Sequence, residues 1–200
     1  MLRSCFVLIA GLAASTAFAG EFNDVLSYGD AAPAWSELPG TDGKQHALAD
    51  LKDKKVVVVV FTCNGCPVAR DYEDRIIALA KRHTDDVAVV AINVNRVPED
   101  SLAKMEARAR EKNFPYPYLY DQTQKIAKDY GATGTPEFFV LSPERKLVYA
   151  GSMDDASDAS QAKVNYVEAA ITAALEGIKP ATTETYARGC RIRWARERRK

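Results

Sequence analysis

Residues 56–60 are five consecutive valines that run into Phe61 with no polar position between them. A strand that is apolar on both faces is buried on both sides, as in a parallel sheet covered by helices. Directly after it Val68, Tyr72, Ile76 and Leu79 recur at helical spacing. Residues 87–94 repeat the buried-strand pattern. Residues 98–112 are expected as a helix opened by Pro98, with Leu102, Met105 and Ala109 on one face. A short strand at 116–120 and a helix at 122–130 stopped by Gly131 come next. Strands at 138–141 and 147–150 flank the turn Ser142-Pro143-Glu144-Arg145. A helix over about 162–176 closes the pattern, with Val164, Val167, Ile171 and Leu175 inward. The order β-α-β-α-β-α-β-β-α predicts an α/β fold, a central mixed sheet flanked by helices. Ahead of it, Asp42-Gly43 marks the tight turn of a small hairpin, and Trp35 reads as a core or edge aromatic.

The first nineteen residues stand apart. Arg3 gives a positive start, residues 6–14 are mostly apolar, and Ala17-Phe18-Ala19 before Gly20 has the A-x-A form of a cleavage site. The stretch is shorter than the ~20 apolar residues of a membrane span and is interrupted by Ser15 and Thr16. It reads as a secretory signal, so the mature protein is expected to be exported, periplasmic or secreted, and Cys5 leaves with the signal. What remains divides into a domain at 20–178 and a C-terminal extension at 179–200. Charge follows the same division: residues 20–187 hold 26 acidic against 19 basic side chains, whereas residues 188–200 hold seven basic against one acidic. With 47% hydrophobic and 27% charged residues, the composition is that of an ordinary globular domain. A domain of this size builds its own core, so its few cysteines are better explained by reactivity than by stapling.

Cys63 and Cys66 lie where the valine strand gives way to the first helix. Positions i and i+3 of a helical turn have Cβ atoms ~5–6 Å apart, near disulfide reach. A helix N-terminus lowers a thiol from ~8.5 to roughly 7. Cys63, read as the N-cap, is therefore the expected nucleophile and the first thiol to alkylate, with Cys66 as the inward resolving thiol. Cys190 is the third cysteine. Around it Ile192 and Trp194 alternate with Arg191 and Arg193, which predicts a short extended strand against the acidic body. Cys190 is expected to be held there by Trp194 and to bond neither Cys63 nor Cys66, since those two satisfy each other locally; the residues from 195 onward read as a disordered basic tail. Gly134-Thr135-Pro136 places a proline at the mouth of a strand, where it is either cis in a tight turn or a plain trans loop residue.

Together these residues resemble the thioredoxin-like superfamily, in its redoxin branch of peroxiredoxin-like and extracytoplasmic thioredoxin-like proteins. The resemblance covers roughly residues 28–178. It is carried by Gly29-Asp30-Ala31-Ala32-Pro33, Asp42-Gly43-Lys44, Phe61-Thr62-Cys63-Asn64-Gly65-Cys66-Pro67, Tyr118-Leu119-Tyr120-Asp121 and Gly134-Thr135-Pro136 before Phe138. It implies a thiol-disulfide oxidoreductase without a cofactor, with Cys63, Cys66, Thr135 and Pro136 as the site. Pro136 is then cis, and Thr135 offers backbone groups to a substrate's mixed disulfide. The implied partners are protein disulfides or dithiols and a thiol-disulfide electron donor.

The sequence also departs from that family. Thr62 stands where thioredoxins usually have Trp. Residues 56–60 contain no carboxylate to accept the proton of the second thiol, and the substitutes Glu73 and Asp71 fall on a charged helix text. Asn64-Gly65 has neither the Pro of reducing thioredoxins nor the His of strong oxidants, so it sets no direction. A peroxidase is the alternative within the fold, but its Pro-x-x-x-Thr-x-x-Cys set is incomplete, because Gly65 lies three residues after Thr62. Thiolate binding of zinc or copper by Cys63, Cys66, Cys190 and either His46 or His83 is the alternative from another class. Nucleic acid is not an expected partner: the basic tail has no interleaved aromatic except Trp194.

Overall fold

The computed structural model describes residues 20–195. The expected signal segment, residues 1–19, and the last five residues of the tail lie outside the described residues. Five strands form the central sheet in the order β5-β4-β3-β7-β8. They are β3 (Val56–Phe61), β4 (Val87–Asn93), β5 (Tyr118–Tyr120), β7 (Glu137–Leu141) and β8 (Leu147–Gly151). β3 is central: it pairs parallel with β4, Val58 opposite Val89, and antiparallel with β7, Val58 opposite Val140. All six of its residues are fully buried, as the valine run requires.

Alternation along β3 sorts the core into two halves. Val56, Val58 and Val60 face α1 (Pro67–Arg82), α2 (Leu102–Lys112) and α4 (Tyr166–Glu176), packing with Tyr72, Ile76, Met105 and Ile171. Val57, Val59 and Phe61 face α3 (Lys125–Tyr130) and the N-terminal segment, packing with Trp35, Leu38, Tyr130 and Phe139. The Asp42-Gly43 turn joins β1 (Leu38–Pro39) to β2 (Gln45–His46) in the expected hairpin.

Past α4 the chain does not leave the body. It runs beside β8, where Ala150 N–H donates to Thr183 and Thr185 N–H donates to Ala150, and Gly151, at φ +138, lets Thr185 approach where a Cβ would meet its carbonyl at 2.3 Å. It ends as β9 (Cys190–Arg191), paired antiparallel with β6 (Gly134–Thr135). Ile192 is 4% exposed in the second core half, while Trp194 is exposed, with the Lys128 ammonium 5.9 Å from its ring. Of the strand expected over 189–194 only Cys190–Arg191 forms, and buried Ile192 rather than Trp194 anchors the segment.

Three helices differ from expectation, α3 in beginning at Lys125 rather than at 122. The segment from Pro98 breaks at Ser101, whose backbone is extended, into a short 3-10 turn at Pro98–Asp100 and then α2. α4 starts at Tyr166, capped by the Asn165 side chain, so Val164 precedes it and is exposed; Ala174 takes the inward place expected of Leu175. Among the described residues no helix is long and apolar enough to cross a membrane.

Phe139 is fully buried and meets Phe61 and Tyr130 edge-on at centroid distances of 5.6 and 5.3 Å. Phe139→Ala is expected to destabilise the domain by about 3–5 kcal/mol, read as a lower midpoint in urea unfolding.

Candidate active site

The site forms where β3 ends and α1 begins. Pro67 fits the first helical position, where a missing N–H costs nothing, so the N-cap is Cys66 and not Cys63. The Cys66 sulfur accepts the Ala69 N–H at 3.4 Å. Cys63 sits three residues earlier, in the bend before the helix, and is 5% exposed. Across from this bend stands Gly134-Thr135-Pro136, with a cis bond between Thr135 and Pro136. The residues named from sequence, Cys63, Cys66, Thr135 and Pro136, therefore do come together.

Thr135 touches all three cysteines. Its hydroxyl is 3.4 Å from the Cys63 sulfur, and its carbonyl oxygen is 3.2 Å from the Cys66 sulfur. Its register partner is Cys190, whose carbonyl lies 3.4 Å from the same hydroxyl. Cys66 is bonded not to Cys63 but to Cys190, a disulfide with Cα atoms 6.0 Å apart, and Cys63 is a free thiol. This corrects the expected local pairing. Strand pairing between β6 and β9 delivers Cys190 to Cys66 from 124 residues away. Gly189 permits it, since a Cβ there would lie 2.1 Å from the Thr135 oxygen.

The expected acidity of Cys63 is corrected as well. Burial pushes its thiol above the usual range; the Thr135 hydroxyl works against that shift and the nearby Asp100 carboxylate adds to it. Asp100 is 1% exposed and accepts the Asn64 and Gly65 amides at 2.7 and 3.0 Å and the Asn95 amide at 3.2 Å. The break at Ser101 leaves Asp100 free to turn into the bend between the cysteines. Tyr118 donates to the Asn64 side chain at 3.1 Å and fixes the bend from β5.

Neither Asp100 nor Tyr118 was named as a site residue from sequence, and the suggested acids serve elsewhere. Glu73 is buried in a pair with Arg108, at 2.6 and 2.9 Å, between α1 and α2, and Asp71 is exposed. Glu137, directly after Pro136, is the second missed carboxylate. It accepts the Thr133 and Gly134 amides at 2.8 and 2.9 Å, bracing the loop before the cis bond, and burial raises its pKa.

Neither candidate histidine joins the cysteines. His83 ends α1, a 16-residue helix that separates it from Cys66 by roughly 24 Å, and it bonds Glu168; His46 bonds Asp42 in the hairpin. Among the described residues no cluster of three or more His, Cys, Asp or Glu is arranged to hold a metal ion. A cavity of about 670 Å³ lined by Trp35, Glu37, Tyr120, Asp121 and Lys125 contains none of the cysteines.

A family model described as Redoxin matches residues 27–169. The crystal structure of a conserved protein from Geobacillus kaustophilus superposes with a TM-score of 0.81 at 34% identity, covering 88% of this chain and 96% of that one. The thiol:disulfide interchange protein HelX of Rhodobacter capsulatus is 28% identical over 117 residues, 58% of this chain and 59% of that protein. A Mycobacterium tuberculosis protein carrying a peroxiredoxin name is 25% identical over 118 residues, 57% of this chain and 69% of that protein.

In the oxidised protein Cys63 is the free thiol, so its titration is read cleanly by alkylation rate against pH. Asp100→Asn removes a negative charge that opposes the thiolate, and the midpoint is expected to move to lower pH. An unchanged or higher midpoint contradicts the assigned role of Asp100.

Proposed function

The chain belongs to the redoxin family, and on that footing we propose that it is a thiol-disulfide oxidoreductase acting outside the cytoplasm, with Cys63 and Cys66 as its exchanging pair. The observation that carries this reading is the free Cys63 thiol beside a disulfide sulfur, Cys66, both set against Thr135 and cis-Pro136. Exchange proceeds by attack of a thiolate on a disulfide sulfur, and it is fastest when the departing thiolate is stabilised. Cys66 is such a leaving group, because the Ala69 amide at the first turn of α1 points at its sulfur. In the reduced protein Cys63 attacks the partner's disulfide, and Cys66 resolves the mixed disulfide and releases the partner as a thiol.

An extracytoplasmic setting is supported by the signal-like segment 1–19. The partners are protein disulfides or dithiols and a thiol-based donor, as the name of the HelX relative says of that protein's exchange chemistry. Peroxide reduction is disfavoured by the incomplete peroxidatic pattern: Gly65 stands three residues after Thr62, where that pattern has its cysteine.

The test is insulin disulfide reduction driven by dithiothreitol. Cys63→Ser is expected to fall to the rate of dithiothreitol alone; a rate equal to that of the unaltered protein rejects the function.

A further inference from the structure

Cys190 has no part in an exchange run by Cys63 and Cys66 alone, yet it holds the bond. We propose that Cys190 is a third catalytic cysteine, which takes the disulfide over from the Cys63–Cys66 pair, so that the oxidised protein rests as Cys66–Cys190 with Cys63 returned to the thiol. The proposal rests on the thiol-disulfide reading above and adds a step to it.

Three observations converge. The first is placement: the sulfurs of Cys63 and Cys66 both contact Thr135, whose register partner is Cys190. A switch of Cys66 from one partner to the other asks for movement at this junction only and leaves the five-strand sheet as it is. The second is a reason for the bond to rest on Cys190. β9 is seated by burial of Ile192 and by the Ile192 N–H on the Thr133 carbonyl at 3.0 Å. It is held further by Asn95, which accepts the Arg193 N–H at 2.9 Å, and by Gln124, which donates to the Arg193 carbonyl at 3.0 Å and accepts the Ala195 N–H at 2.7 Å. The third is the single proton of the Thr135 hydroxyl. With β9 seated, the hydroxyl faces both the Cys190 carbonyl and the Cys63 sulfur, each at 3.4 Å, and can donate to only one. When β9 lifts, the proton is free for the Cys63 thiolate, so departure of Cys190 and activation of Cys63 are one event.

The steps balance. The reduced protein transfers two electrons to a substrate disulfide, forming Cys63–Cys66 and releasing two substrate thiols. The Cys190 thiolate then attacks the Cys66 sulfur; the Cys63–Cys66 bond breaks, Cys66–Cys190 forms, and Cys63 leaves as a thiolate that takes up the proton Cys190 gave up. No electrons enter or leave in that exchange. Return to the start needs a dithiol reductant. Cys66 is 2% exposed and Cys190 is half-buried, so the reductant attacks Cys190. The Cys66 thiolate departs onto the Ala69 amide, and the second thiol of the reductant frees Cys190 and leaves as a disulfide.

The experiment follows the bonds in time. The fully reduced chain is mixed with hydroxyethyl disulfide, quenched in acid at intervals, alkylated, digested without reduction and mapped. A Cys63–Cys66 peptide is expected first, decaying into Cys66–Cys190, with an equilibrium ratio of about tenfold or more, the scale that one buried aliphatic side chain sets. Gly189→Ala, which keeps every cysteine but pushes a Cβ onto the Thr135 carbonyl, is expected to invert the ratio. Cys63→Ser is expected to reach Cys66–Cys190 through a mixed disulfide of the probe on the half-buried Cys190, a species the unaltered protein passes by. The proposal is overturned if the unaltered protein keeps Cys63–Cys66 with Cys190 alkylated, or if Cys66–Cys190 appears in it with no Cys63–Cys66 peptide before it. Insulin turnover is read separately: its loss with the transfer intact removes the proposed function and leaves the transfer standing, and its retention without the transfer does the reverse.

Discussion

Thr135 offers a different atom to each of three cysteines, and the rest of the site is arranged to keep it there. Its hydroxyl meets Cys63, its carbonyl meets Cys66, and its strand edge pairs with Cys190. β3 and β7 fix that position from below, Phe61 opposite Glu137, so the cysteine bend and the cis loop are the ends of two adjacent central strands. Glu137 then ties the Thr133 and Gly134 amides, and Asp100 ties those of Asn64 and Gly65. A buried amide left without a partner costs ~1–3 kcal/mol. The two carboxylates thus hold two bends that would otherwise have no reason to face each other.

The same carboxylates shape the reactivity. Asp100 accepts the amides at the bend, and its carboxylate adds to burial in raising the Cys63 thiol. The helix N-terminus serves Cys66 instead. This division separates two properties that a Cys-x-x-Cys pair often combines in its first cysteine, an acidic thiol and a place at the helix end. Cys66 has the helix-end amide at its sulfur, and Cys63 is the buried thiol that the Thr135 hydroxyl faces.

Much of the fold was legible because its signals are local. The valine run, the helical spacing after it, the Asp42-Gly43 turn and the proline at the mouth of β7 each act within a few residues, and each element stands where those signals put it. The N-cap was misplaced although its signal was present: Pro67 belongs at the first helical position, which makes Cys66 the cap. Asp100 was not legible, because its role depends on a helix break that turns it toward amides 35 residues earlier in the chain. The bonding of Cys190 was not legible either. Alternation of Ile192 with arginines announced a strand, but the edge it joins lies 55 residues away, and an argument from local satisfaction of Cys63 by Cys66 could not weigh that pairing.

The account stands on which cysteine remains a thiol when the protein is oxidised. Cβ carbon chemical shifts distinguish thiol from disulfide at each cysteine of the intact, folded chain. In the air-oxidised protein, Cys66 and Cys190 should both resonate as disulfide carbons and Cys63 as a thiol. Disulfide shifts at Cys63 and Cys66, with Cys190 a thiol, contradict the account.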